Sequence, residues 1–212
     1  MNGRGAWAVL VSSAAVCVAC GSTSQSSTSQ SSTSQSSTTQ SSATRLPLSA
    51  YLVRGHEETG LPPKGQTTHY LTATQWTSVG VPNGAAEAKR LAHEGFREAT
   101  SVQTGSTQGQ GVSWAMELGS ASAAAREKAA ELQEFASGPG ASGATRFTIA
   151  SVPGAEGWTV PSQVANVLFT EGPCLMLVGD QLAAGGDNKP PVIAAVRAIW
   201  ARTHGKPGAC AT

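Results

Sequence analysis

The sequence predicts an α+β fold, an antiparallel sheet with helices packed on one face. Short apolar or alternating runs between residues 96 and 179 have the twofold period of strands, and three runs of helical period are placed among them. The order is helix, two strands, helix, several strands and a last helix. A ferredoxin-like arrangement or duplicated αββ units is therefore the expected instance.

The first predicted helix covers Gly84–Glu94 and is followed by a glycine. Gly95 can adopt the left-handed conformation that ends a helix, and Phe96 is then placed to pack back on Leu91, as in a Schellman C-cap. A strand is predicted directly afterwards, near residues 96–102.

The next predicted strand, Gly111–Leu118, alternates apolar and smaller or polar residues, which is the pattern of a half-buried strand. Ser120 is a suitable N-cap for the helix that follows. Gly138 and Pro139 are expected to stop this helix. Its predicted buried stripe consists of Ala125, Ala129, Leu132 and Ala136.

A second strand-rich unit follows a Gly-rich loop. A strand is predicted over Arg146–Val152, and two apolar runs, Gln163–Thr170 and Cys174–Gly179, are expected to form a hairpin. Asp187 or Asn188 can cap the last helix. The predicted buried face of this helix contains Val192, Ile193, Val196, Ile199, Trp200 and Thr203.

The N-terminal segment predicts export. Arg4 precedes an apolar stretch of 14 residues, Ala6–Ala19, which is too short to span a bilayer and is typical of a signal peptide. The residues Ala19-Cys20-Gly21 resemble a bacterial lipobox, and this resemblance implies that Cys20 carries a lipid. Cleavage after Ala19 without lipidation is the alternative.

A polar repeat follows Cys20 and consists of five-residue units such as Ser26-Ser27-Thr28-Ser29-Gln30. The repeat has no apolar face, so a disordered stalk is expected. We therefore divide the chain into a signal peptide (1–19), a lipidated cysteine with its stalk (20–44) and one α+β domain (45–212).

The charge balance of the domain excludes one class of partner. Of the 14 Lys and Arg residues only Arg4 precedes the domain, so the domain contains 13 basic and 13 acidic residues. This balance argues against a nucleic-acid partner.

In an oxidising compartment Cys174 and Cys210 are expected to form a disulfide; two free thiols are the alternative.

Three features carry a resemblance to uncharacterised actinobacterial cell-envelope lipoproteins and extracytoplasmic sensor-like domains. They are the Gly95-Phe96 helix exit, the turn at 152–155 and the hairpin at 169–179 before a terminal helix. The resemblance implies an envelope location on the extracytoplasmic face of the cell membrane and no defined chemistry.

No catalytic or metal-binding motif is found, and no cofactor is predicted. The candidate ligand site is the loop after the second hairpin strand, where Asp180, Asp187 and Asn188 lie near a helix N-terminus. A connecting loop with a simple N-cap is the alternative. Four tryptophans could line an apolar pocket or fill a core: Trp76, Trp114, Trp158 and Trp200.

Three functional classes are consistent with the sequence. The first is a non-enzymatic binding module, anchored to the membrane through its N-terminal lipid, that binds an envelope protein or a cell-wall ligand. The second is an envelope hydrolase with a carboxylate pair such as Glu57 or Glu58 with Asp180. The third is an accessory sensory ectodomain.

Overall fold

The computed structural model describes residues 45–54, 67–78, 84–106, 109–137, 143–160, 164–182 and 187–211. The predicted signal peptide, Cys20, the stalk and the Gly138-Pro139 helix stop lie outside the described residues. Glu57 and Glu58 also lie outside them.

The described part of the chain contains one seven-stranded sheet and four α-helices. The strands are β1 (Thr67–Tyr70), β2 (Glu98–Ser106), β3 (Gly109–Glu117), β4 (Thr145–Thr148), β5 (Glu156–Val160), β6 (Val164–Glu171) and β7 (Cys174–Leu182). The helices are α1 (Ala73–Thr77), α2 (Gly84–His93), α3 (Ala121–Ser137) and α4 (Lys189–Thr203), and a 3₁₀ helix covers Leu48–Tyr51. Every strand pair is antiparallel, in the order β1-β2-β3-β7-β6-β5-β4. The α+β class and the antiparallel sheet are confirmed. The hairpin predicted from the runs Gln163–Thr170 and Cys174–Gly179 is present as β6 and β7.

The helices pack against the sheet, but they are divided between its two faces. Met176 of β7 packs in one core with Val196 of α4, whereas Leu177, the next residue of the strand, packs with Leu132 of α3. Successive side chains of a strand point to opposite faces. α4 therefore covers one face, called the α4 face here, and α3 covers the other, the α3 face. The sequence predicted helices on one face only.

The cause of this difference lies in β6 and β7. Their side chains are buried without interruption from Ala165 to Phe169 and from Cys174 to Val178. All of these residues except Asn166 are apolar. A strand with apolar side chains on both faces is buried on both sides, so these strands require a covering element on each face. The order of two strands and a helix does occur twice, as β2-β3-α3 and β6-β7-α4. A twofold rotation about the sheet normal could superimpose β2-β3 on β6-β7, but it would place α3 and α4 on the same face. The two units are therefore not related by a simple symmetric duplication.

The predicted end of α2 is confirmed in detail. Gly95 has a φ of 73°. The Phe96 N–H donates to the Leu91 carbonyl at 2.9 Å and the Gly95 N–H donates to the Ala92 carbonyl at 3.1 Å, which are the two bonds of a Schellman motif. A Cβ on Gly95 would lie 2.9 Å from the Gly119 Cα, so the close approach of these two backbones also requires glycine.

The start of α3 agrees with the prediction, but its buried face does not. The Ala123 N–H donates to Ser120 Oγ at 3.1 Å, as expected of an N-cap. Of the predicted stripe only Leu132 is buried, and the three alanines are exposed. Ala123, Ala124 and Glu127 are buried instead. Alanine is compatible with either environment, so an Ala-rich helix does not fix its own orientation.

The two ends of the described domain meet on the α4 face. Leu46 forms a parallel bridge with Gly208. Arg45 donates to the carbonyl oxygens of Gly208 and Ala209 at 2.9 and 3.4 Å. The disulfide between Cys174 and Cys210 is present, with a Cα–Cα distance of 5.2 Å, and it ties the segment after α4 to the first residue of β7. As predicted, α4 buries Val192, Val196, Ile199 and Thr203, while Ile193 and Trp200 are partly buried.

Candidate functional site

The candidate site is a pocket of about 320 Å³ on the α4 face, formed where the N-terminal segment crosses the β1-β2-β3 end of the sheet. We call it the N-terminal pocket. It is lined by Arg45, Leu46, Pro47, Leu48, Ser49, His69, Glu98, Glu117 and Ala209. One wall is therefore the first described segment of the chain, and the opposite wall is supplied by three strands.

The charged lining of this pocket follows from strand register. Glu98 of β2 is paired directly with Glu117 of β3, and His69 of β1 is paired with Thr100 of β2. Side chains directly opposite each other have Cβ atoms about 4.5 to 5.5 Å apart, and two like charges in such a pair are destabilising. The pocket therefore contains two glutamates at directly opposite positions of adjacent strands.

The two carboxylates differ in their surroundings. Glu117 is buried and accepts a hydrogen bond from Arg97 Nη1 at 2.7 Å. Glu98 is half-buried, and no Lys, Arg or His of the described segments lies within ion-pairing distance of it. Arg45 lines the same pocket, but its guanidinium donates to backbone carbonyls of the C-terminal segment.

The predicted ligand loop is only partly brought together. Asp180 and Asn188 are both buried, and Asn188 Nδ2 donates to the Asp180 carbonyl at 3.4 Å. Asp187 is exposed, and its Oδ1 accepts from the Lys189 N–H at 3.1 Å. Asn188 is the N-cap residue of α4, although its side chain makes no capping bond. Residues 183–186 of the loop lie outside the described part.

The four tryptophans do not converge on one pocket. On the α3 face Trp76 lies between Tyr70 and Trp114, with ring centroids 5.1 and 5.5 Å apart. Trp158, on the same face, stacks on Phe135 at 3.8 Å. Trp200 stacks on His204 at 3.9 Å, at the end of α4. Edge-to-face and stacked pairs of this kind are typical of core and surface packing.

A second group of titratable side chains joins α2 to α3. We call it the carboxylate cluster, and it contains Glu87 and Arg90 of α2 with Glu127, Glu131 and Glu134 of α3. Arg90 pairs with Glu127, whose side chain is only 2% exposed, and lies 3.8 Å from Glu131. Arg126 pairs with Glu94 at 2.5 Å beside the cluster.

Burial dominates the electrostatics of this cluster. It raises the pKa of Glu131 to about 8, with further contributions from the charges of Glu87 and Glu127, and only Arg90 opposes the shift. Burial likewise raises the pKa of Glu87 to about 7 and raises that of Glu127. Shifted carboxylates mark functional sites or structural ion-pair networks. These lie in a contact between two helices, so we assign them a structural role with a pH dependence.

The sequence contained a weak signal for each group of residues. In the N-terminal pocket, Glu117 belongs to the alternating set Ser113, Ala115 and Glu117, which the half-buried pattern had assigned to the more polar side. All three are buried, because the 3₁₀ segment and α4 cover that face. In the carboxylate cluster, the signal was Glu127 and Glu131, one helical turn apart on an Ala-rich helix.

Two further findings concern the described residues alone. No three His, Cys, Asp or Glu side chains come together there in a way that could hold a metal ion. None of the helices in those segments combines the length and the apolar character needed to cross a membrane.

Comparison with known proteins adds no family or relative to this description. The chain matches no family model, and no curated protein or solved structure is significantly similar to it.

Proposed function

We propose that this chain is an extracytoplasmic lipoprotein, anchored to the cell membrane through a lipid on Cys20, whose domain is a non-enzymatic binding module of the cell envelope. The N-terminal pocket is the observation that carries the proposal. Its lining includes Arg45–Ser49, the first described residues after the predicted stalk. The ligand site is then beside the point where the stalk joins the domain.

The size and lining of the pocket support a small polar ligand or the end of a larger one. Ligand sites commonly have volumes of about 300 to 1,000 Å³ and combine apolar walls with a few polar groups. The N-terminal pocket lies at the lower end of this range, with Leu46, Pro47 and Leu48 beside Glu98 and Glu117. A cell-wall fragment or a segment of an envelope protein has a suitable size and chemistry.

The anchor is tested by fractionation of cells that express the full chain. Cys20→Ala should move the protein from the membrane to the soluble fraction or leave its precursor unprocessed, because one lipidated residue supplies the attachment. Cys17→Ala, three residues earlier in the same segment, is the matched control and should remain in the membrane fraction. Normal processing and membrane association of Cys20→Ala would contradict the proposal.

The pocket is tested with the lipidated full chain in liposomes and soluble peptidoglycan fragments as the probe. Ser49 is exposed and lines the pocket, so Ser49→Trp should fill it and abolish co-sedimentation of the fragments. Ser122→Trp, at an exposed site on α3, is the control and should bind as the wild type does. Equal binding by both variants, or no binding by the wild type, would count against the proposed module.

An envelope hydrolase is the second candidate, because Glu98 and Glu117 line one pocket from adjacent strands. Two carboxylates about 5 to 10 Å apart can act as acid and base, or acid and nucleophile, in glycoside hydrolysis. The pair expected from the sequence, Glu57 or Glu58 with Asp180, stays a prediction, because Glu57 and Glu58 lie outside the described residues. Mass spectrometry of the fragments after incubation decides between the classes: cleavage that Glu117→Gln abolishes would favour the hydrolase.

A further inference from the structure

Three glutamates lie in one row across the end of the sheet on the α4 face. The register pairs Glu98 with Glu117, Glu117 with Cys174, and Cys174 with Glu171. The row continues from the N-terminal pocket to the disulfide. Glu98 and Glu117 are directly opposite each other and repel, so positive charge or hydrogen-bond donors beside them are stabilising.

Two of these carboxylates have such partners. Glu117 accepts from Arg97 at 2.7 Å. Glu171 accepts from Thr203 Oγ1 and from the Gly205 N–H, each at 3.3 Å, and lies 3.2 Å from His204 Nδ1. Arg45, the guanidinium on the pocket wall, donates to backbone carbonyls instead. Within the described segments Glu98 is the one member of the row without a donor partner.

A second unsatisfied group lies beside Glu98. Thr100 follows it by two residues on β2, so both side chains are on the α4 face, and Thr100 is paired with the pocket residue His69. Thr100 is 0% exposed, and its Oγ1 has no hydrogen-bond partner among the described residues. A buried hydroxyl without a partner is costly. Thr100 does not line the N-terminal pocket, however, so Glu98 is the pocket group that lacks a partner.

We infer that the N-terminal pocket binds its ligand through a primary ammonium group, which pairs with Glu98 of β2 beside the neighbouring Glu117 of β3. This inference rests on the proposed binding function and specifies the ligand class of the same site. An ammonium supplies three donors and one positive charge, and these are what Glu98 lacks. Charge-assisted hydrogen bonds of this kind are also the stronger ones.

The experiment uses the ¹⁵N-labelled full chain in detergent micelles, titrated with two probes of similar length. Cadaverine presents ammonium groups only and glutarate presents carboxylates only. Cadaverine should shift the amide resonances of His69, Glu98 and Glu117 in a saturable manner, and glutarate should not. Glu98→Gln should weaken cadaverine binding about tenfold or more, because it removes the charge and leaves the shape unchanged.

Two variants separate a specific effect from a general one. Glu156→Gln removes a carboxylate of β5 that pairs with Lys128 and does not line the pocket. This variant should bind cadaverine as the wild type does. Thr100→Val removes the unpartnered hydroxyl at nearly constant volume. It should raise the unfolding temperature and leave cadaverine binding as in the wild type, because Thr100 does not line the pocket.

The outcomes distinguish this inference from the proposed function. Pocket shifts with glutarate alone, or cadaverine shifts that persist in Glu98→Gln, would overturn the ammonium class while leaving a binding pocket in place. The ammonium class also fails, and the pocket is retained, if neither probe shifts these amides but Ser49→Trp still abolishes fragment binding. If fragment binding is also independent of Ser49, the proposed function fails as well.

Discussion

Raising the pH from 6 to 8 should destabilise the domain, because the folded state holds a proton on Glu131 that the unfolded chain has already lost. Burial raises the pKa of Glu131 from 4.5 to about 8. A carboxyl whose pKa is raised by folding contributes stability that is fully present below the unfolded pKa. That stability is lost as the pH rises through the folded value.

The size of the effect follows from these two pKa values. Each unit of pH between them changes the unfolding free energy by about 1.4 kcal/mol per proton. Glu131 remains protonated in the fold until the pH approaches about 8, so the loss between pH 6 and 8 is about 2 kcal/mol. The side chain is only 12% exposed, so solvent screening reduces this value little. Glu87, with a pKa of about 7, changes stability in the same direction.

Urea unfolding of the full chain at a series of pH values measures this dependence. The wild type should lose stability between pH 6 and 8. Glu131→Gln should lose less and be the more stable protein at pH 8, because its neutral amide needs no proton to remain beside Glu87 and Glu127. Glu156→Gln, outside the cluster, should retain the wild-type slope. A wild-type stability that is constant or rising over this range, or an unchanged slope in Glu131→Gln, would refute the reasoning.

Two further predictions concern covalent and backbone constraints. Reducing the disulfide, whose cysteines are 36 residues apart, should lower the unfolding free energy by about 3 to 4 kcal/mol without abolishing the fold. Thermal unfolding with and without reductant measures this, and two alkylated thiols in freshly isolated, unreduced protein would contradict it. Gly95→Ala and Gly154→Ala both place alanine at a φ near +70°, which costs about 1 to 2 kcal/mol. Gly95→Ala should cost more, because its Cβ would also meet Gly119, whereas no atom lies within 4 Å at Gly154; equal losses in urea unfolding would show that the contact relaxes freely.

The features that the sequence predicted correctly are those set by neighbouring residues. The Gly95-Phe96 helix end, the Ser120 cap and the hairpin at 164–182 each depend on conformational preferences within a few positions. The apolar face of α4 was also recognisable, because its branched and aromatic residues recur with the helical period. The short elements β1, α1 and β5 were missed, since four or five residues give too little pattern to recognise.

The features that could not be predicted depend on contacts between distant segments. Glu127 and Glu131 lie on the inner side of α3 because Arg90 of another helix is there to meet them. Glu98 and Glu117 line a pocket because β1, β2 and β3 align in one register and residues 45–49 cross above them. The continuous apolar runs of β6 and β7 did contain information on a sheet covered from both sides. The length of these two runs did not predict which helix would cover which face of the sheet.

The contacts that join the two ends of the described domain also determine how the domain would bear a mechanical load. A pull on Arg45 is resisted first by backbone hydrogen bonds of Leu46 with Pro207 and Ala209, each 2.9 Å long. From Ala209 the force passes to Cys210 and across the disulfide to Cys174 in β7, the central strand of the sheet. Tension on the leading end of the domain is therefore transmitted to the interior of the sheet, while β1, the edge strand nearest in sequence, is not the first element to be peeled away.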